Sequence, residues 1–140
     1  MALSQFFPLP TLIGWGRIFL LMPDKDTPIQ KLKEKINQFI SARDWEKFHS
    51  PKNLSMSIAI EAAELMEKFQ WVEGIESKDL TRRLKQEIEE ELADIAVYIL
   101  NFCSLYGIDF SDAIERKLKI NTKKYPVRKS RGVSLKYNKL

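Results

Sequence analysis

The sequence predicts an all-α fold, a four-helix bundle completed by oligomerisation. Apolar residues recur at helical spacing from Ile29 to Tyr125, with no strand-like alternation of useful length. Start and stop signals punctuate that pattern at four places. Two of the resulting segments are apolar on more than one face, which a chain of four helices covers best by pairing with another copy.

The first helix opens at Thr27-Pro28-Ile29-Gln30, where Thr27 can cap, Pro28 suits the first turn and Gln30 completes a capping box. It carries Ile29, Leu32, Ile36, Phe39 and Ile40 and fades near Ser41-Ala42-Arg43-Asp44. Ser50-Pro51 repeats the start signal, and the second helix runs to about Gln70, before Gly74. A third, long helix is expected from near Asp79 to Tyr106, with Gly107 as its stop. The fourth begins with Asp109 as cap and ends before Pro126. Short connections favour antiparallel neighbours.

At 140 residues the chain has the length of one domain. Residues 25–126 form the expected helical domain and 127–140 a basic tail. Residues 1–24 read as a disordered extension or an upstream, mis-assigned start. Thr11 to Met22 is apolar, but Arg17 interrupts it, it is too short for a membrane span, and no small-residue cleavage site follows. No membrane is therefore expected as a partner. The lone cysteine, Cys103, sits in the apolar run Val97–Cys103 as a core residue, which fits a reducing, cytoplasmic setting.

Charge is unevenly spread. From Glu115 to Leu140 ten Lys or Arg face one acid, whereas residues 1–114 carry thirteen basic and eighteen acidic residues. A basic tail beside an acidic body suits an anionic ligand, and phosphates are the obvious class.

Four carboxylates stand out because they lie in helices expected to be covered. Glu61 and Glu64 are three apart and share one face of the second helix; Glu91 and Asp94 repeat the spacing on the third. Charge in an apolar surround is neutralised by pairing, protonation or metal. Two acidic pairs facing each other would form an oxygen-rich cage, which hard cations such as Mg²⁺ or Mn²⁺ favour. A ferritin-like di-iron site needs Glu-x-x-His motifs, and the only histidine, His49, lies outside both pairs. The neighbouring Glu87-Ile88-Glu89-Glu90 reads as an ordinary surface repeat.

Glu61-x-x-Glu64, 26 intervening residues and Glu91-x-x-Asp94 resemble the signature of the MazG-like all-α nucleotide pyrophosphohydrolases. Arg43-Asp44-Trp45-Glu46-Lys47-Phe48-His49, with Pro51 and Asn53, is similar to the dCTP pyrophosphatase branch, as are Phe69-Gln70-Trp71, Tyr98, and Lys117 to Asn121 before Lys124-Tyr125-Pro126. The resemblance spans Ile29 to Tyr137. It implies Mg²⁺-dependent cleavage of a nucleoside triphosphate to monophosphate and pyrophosphate, with Glu61, Glu64, Glu91 and Asp94 on the metal and Glu64, or else Glu61, as general base. It further implies Trp45, His49 and Trp71 beside the base, Tyr98, Lys117 and Asn121 at sugar or phosphates, and a homodimer or homotetramer. Ile36 stands where the mammalian branch has a substrate-side histidine, which leaves the preferred base open.

Two other readings compete. One is the same fold acting on dUTP, a damaged nucleotide or phosphoribosyl-ATP. The other is a non-catalytic module that binds RNA or an acidic partner through the basic tail. The acidic quartet argues against the latter, so nucleic acid is not an expected partner.

Overall fold

A computed structural model describes residues 23–74 and 76–139. The N-terminal extension before Pro23 lies outside the described residues. Among those described there are six α-helices and no strand: α1 (Ile29–Ser41), α2 (Pro51–Glu67), α3 (Ser77–Arg83), α4 (Lys85–Leu105), α5 (Phe110–Lys124) and α6 (Val127–Ser130). The all-α expectation holds, with two corrections to its elements.

The expected third helix is two helices. Leu84 leaves helical geometry at φ −102° and ψ 27°, separating the short, exposed α3 from α4. No Gly or Pro marks that break, so tertiary context sets it rather than local propensity. The basic tail, beyond Pro126, contains the single turn of α6 and a 3₁₀ turn at Tyr137–Lys139. At the start of α1 no capping box forms. The Thr27 hydroxyl donates back to the Pro23 carbonyl (2.9 Å), and the Gln30 amide donates to Glu34 (3.1 Å). With Pro28 at the cap position, no side chain caps that helix.

The other boundaries follow their signals. Ser50 Oγ accepts from the Asn53 N–H and Asp109 Oδ1 from the Asp112 N–H, so α2 and α5 are side-chain capped. Gly107, at φ +63°, ends α4 with the Ile108 N–H bonded to the Cys103 carbonyl (2.9 Å). Asp44 performs the same service for α1 at φ +53°. The Trp45 N–H reaches the Ile40 carbonyl and the Asp44 N–H that of Ser41, the paired bonds of a Schellman end. Aspartate tolerates that conformation better than most side chains.

Helices α2 and α4 form the spine and run antiparallel. Lys68, just past α2, meets Glu87 and Glu91 early in α4, while His49, just before α2, meets Asn101 late in α4. Helix α1 packs on α4, and its Lys33 donates to the Ile108 carbonyl beyond the α4 stop (2.8 Å). The buried core is small: Ile40, Leu54, Ile88, Leu100, Cys103 and one polar residue, Asn101. Met56, Ile60, Met66, Leu92 and Val97 of the spine stay exposed, as do Ile114, Leu118 and Ile120 of α5. The chain bends by 104° between α4 and α5, and α5 buries no residue. Among the described residues no single helix is long and apolar enough to cross a membrane.

Candidate active site

Three glutamates meet where the spine helices face each other. Glu61, Glu64 and Glu91 can each offer one carboxylate oxygen so that all three lie within 4.8 Å of one another. Helical geometry makes this possible. Positions 61, 64 and 68 fall on one stripe of α2, and positions 87, 91, 94, 98 and 101 on one stripe of α4. Antiparallel pairing then sets the acids of the C-terminal half of α2 against those of the N-terminal half of α4. Glu61 and Glu91 are half-buried and Glu64 is exposed.

Burial and this gathering of like charge both disfavour ionisation here. The Glu61 carboxyl is held above its ordinary value, first by burial and then by the charges of Glu64, Asp94 and Glu91. Asp94 is raised as well, by burial and then by Glu91 and Glu90. Asp94 stands outside the converging trio yet belongs to the same electrostatic cluster. Three carboxylate oxygens at such spacing, with a fourth carboxyl beside them and no sulfur or imidazole, are a donor set for a hard divalent cation.

One cation is already present. Lys68 Nζ lies 3.2 Å from Glu91 Oε1 and 3.5 Å from Glu87 Oε2. Glu91 foremost raises the Lys68 amine above its ordinary value, against the opposing effect of burial. Glu87 thus has a partner at the edge of the acidic centre, where the sequence suggested a plain surface repeat.

His49 is positioned by a short chain of bonds. Asn53 Nδ2 donates to the Phe48 carbonyl (2.8 Å), fastening the 3₁₀ turn Glu46–Phe48 to α2. Asn101 Nδ2 lies 3.0 Å from His49 Nδ1. An amide nitrogen only donates, so this pairing requires the neutral ring to accept at Nδ1 and to carry its proton on Nε2. Asn101 is 2 % exposed, the one buried polar side chain among the described residues. Its signal was present in the sequence as the single polar residue inside the apolar run Val97–Cys103. Asn101→Leu should release His49 from that tautomer and lower stability by about 1–3 kcal/mol. Because His49 is the sole histidine, ¹⁵N-imidazole NMR reads its tautomer without overlap, and denaturant titration reads the stability.

The remaining residues named from the sequence are spread apart. Trp45 packs edge-on against Phe39 (centroids 5.9 Å), and the Arg43 guanidinium lies 3.6 Å over the Phe39 ring. Trp71, 88 % exposed, follows the other end of α2. The 17 residues of α2 span ~25 Å, far more than the width of a base, so one chain does not bring Trp45 and Trp71 together. Tyr98 is half-buried on the acidic stripe of α4, one turn beyond Asp94. Lys117 and Asn121 share a face of α5, beyond the 104° bend, and ~16 Å of α4 separates Asp94 from that bend.

An all-α spine that presents convergent carboxylates from two antiparallel helices defines a class of helical scaffold with an acidic centre. Comparison with known proteins narrows it. Residues 56–140 match the MazG-like family, and the chain belongs to that family. It is 36% identical over 105 residues to dCTP pyrophosphatase 1 of Bos taurus and 34% identical over the same length to that of Homo sapiens. In both, the matched region is 74% of this chain and 62% of the relative, so the chain spans somewhat less than two thirds of these proteins. The crystal structure of a pyrophosphatase from Archaeoglobus fulgidus is 41% identical, with a TM-score of 0.68 over 70% of this chain and 92% of that one.

Proposed function

We propose that the protein is a Mg²⁺-dependent nucleoside triphosphate pyrophosphohydrolase that converts dCTP, or a modified dCTP, to the monophosphate and pyrophosphate. The convergence of Glu61, Glu64 and Glu91 carries the reading. Membership of the MazG-like family and the likeness to proteins described as dCTP pyrophosphatase 1 and as a pyrophosphatase support it.

In this reading Glu61, Glu64, Glu91 and Asp94 hold the cation, with Mn²⁺ able to replace Mg²⁺. When bound, such a cation neutralises phosphate charge and lowers the pKa of a coordinated water. Glu64 accepts the proton of the attacking water: it is the exposed member of the trio, whereas Glu61 and Glu91 are half-buried. Water oxygen bonds to phosphorus at the α–β anhydride as the bridging P–O bond breaks, and pyrophosphate leaves. Tyr98, on the acidic stripe, faces the sugar–phosphate region.

Trp45, His49 and Trp71 border the base, and Lys117 and Asn121 contact the sugar or phosphates, where the Lys117 ammonium offsets phosphate charge. Their separation within one chain supports a homodimer or homotetramer in which copies contribute different parts of each pocket. The apolar side chains left exposed on α2, α4 and α5 favour the same arrangement. The buried, unpaired Cys103 is compatible with a cytoplasmic enzyme.

Pyrophosphate release from a panel of canonical and modified dNTPs and NTPs, with Mg²⁺ and with excess EDTA, tests the proposal. Magnesium-dependent release fastest with dCTP or a 5-substituted dCTP is expected. Fastest release from another nucleotide would keep the reaction and move the substrate. Absence of release from every nucleotide would overturn the enzymatic reading and favour a binding module.

A further inference from the structure

We infer that Lys68 is an exchangeable counter-ion of the acidic centre, bound to Glu91 in the metal-free protein and displaced toward Glu87 when a divalent cation takes Glu91. Lys68 thereby sets the metal concentration at which the site fills. The inference rests on the metal-site reading above and deepens it.

The geometry supplies both ends of that movement. Lys68 Nζ sits between Glu91 Oε1 at 3.2 Å and Glu87 Oε2 at 3.5 Å. Glu87 and Glu91 are one helical turn apart on α4, so the ammonium can leave one carboxylate without losing the other. Their surroundings differ in the direction required. The Glu91 side chain is 14 % exposed and belongs to the converging trio, whereas that of Glu87 is 54 % exposed and lies outside it. A divalent cation bound by the trio repels an ammonium held on one of its own ligands, because two cations then compete for one carboxylate. Glu87 provides the site to which the monovalent cation withdraws. At the C-terminal cap of α2, Lys68 is one turn beyond Glu64 on the same side, which ties its reach to the acidic centre rather than to bulk solvent.

The same pair also relieves the crowding of the three glutamates. Unrelieved repulsion would splay their side chains apart, and Lys68 neutralises the one contributed by α4. Glu87 therefore has a task distinct from that of Glu91: it binds the lysine and no metal.

Mn²⁺ binding to the full chain without nucleotide, followed by the EPR signal of free Mn²⁺, tests this directly. Lys68→Met keeps the length and apolar stem but removes the charge, and should bind Mn²⁺ roughly three- to tenfold more tightly than wild type. Lys68→Arg retains the charge and should return affinity to near the wild-type value, which separates charge from packing. Glu87→Gln should weaken Mn²⁺ binding in the wild-type background and have a smaller effect beside Lys68→Met, since its action runs through the lysine. Equal or weaker binding by folded Lys68→Met, or equal Glu87→Gln effects in both backgrounds, would overturn the counter-ion role while leaving the metal site standing. Failure of the wild-type protein to bind Mn²⁺ at all would overturn the role and the metal-site reading together.

Discussion

Glu91→Ala should reduce pyrophosphate release by at least about a hundredfold, with the far-UV circular dichroism signal of the helices retained. Glu91 is the residue through which α4 joins the trio; in the proposed site its loss leaves Asp94 as the one α4 carboxylate for the cation. The helix itself has little to lose. Glu91 is half-buried and its ion-pair partner Lys68 keeps Glu87, so the substitution strands no buried charge. Glu61→Ala and Glu64→Ala belong to the same class of effect. Asp94→Ala follows if its carboxylate turns to the cation that replaces the repulsion it now feels from Glu91. Near-normal turnover in any two of these variants would remove the carboxylates from the mechanism, whatever the nucleotide.

Much of this centre was legible because it is written in local rules. Spacing of three along a helix puts two carboxylates on one face without knowledge of anything else, and Ser50, Asp109 and Gly107 mark boundaries through their own backbone chemistry. What the sequence hid depends on contacts between distant segments. Thr27 and Gln30 are a correct capping-box pair by type, but Pro23 and Glu34 offered their side chains other partners. The break at Leu84 lies among good helix formers, so nothing local announces it. Asp44 ends α1 in a conformation usually assigned to glycine, and this directs the chain into the segment that carries Trp45 and His49.

Nothing local to Lys68 marks its position; α4 sets two carboxylates around it. The tryptophans show the converse failure. Motif resemblance groups Trp45 with Trp71, while the length of α2 keeps them apart within one chain. In the proposed oligomer, different copies would supply the two to one pocket.

The second large effect concerns stability. Glu61→Gln should make the metal-free protein more stable than wild type at neutral pH and less stable than wild type in excess Mg²⁺. The folded state raises the Glu61 carboxyl above its ordinary value, so near neutral pH the ionised group opposes folding. The sign follows from proton uptake. Between the ordinary and the raised value the folded chain binds the proton more tightly than the unfolded chain. Stability contributed by Glu61 is therefore complete below the ordinary carboxylate value and is lost as pH rises through the raised one. The advantage of Glu61→Gln in EDTA should accordingly shrink as pH falls through that window.

A bare pH curve would not isolate this effect. Glu46, lowered chiefly by its bond from the Ser41 hydroxyl, acts in the opposite sense and withdraws stability as pH falls. The difference between variant and wild type cancels it. Saturating metal adds about 2.7 kcal/mol at a hundred times its dissociation constant, and the amide forfeits most of that because it supplies no anionic ligand. Denaturant titrations with EDTA and with Mg²⁺ should thus cross, each protein being the more stable in one condition. A purely structural glutamate would give curves that keep their order. Only a carboxylate that is a burden without the cation and a ligand with it reverses that order.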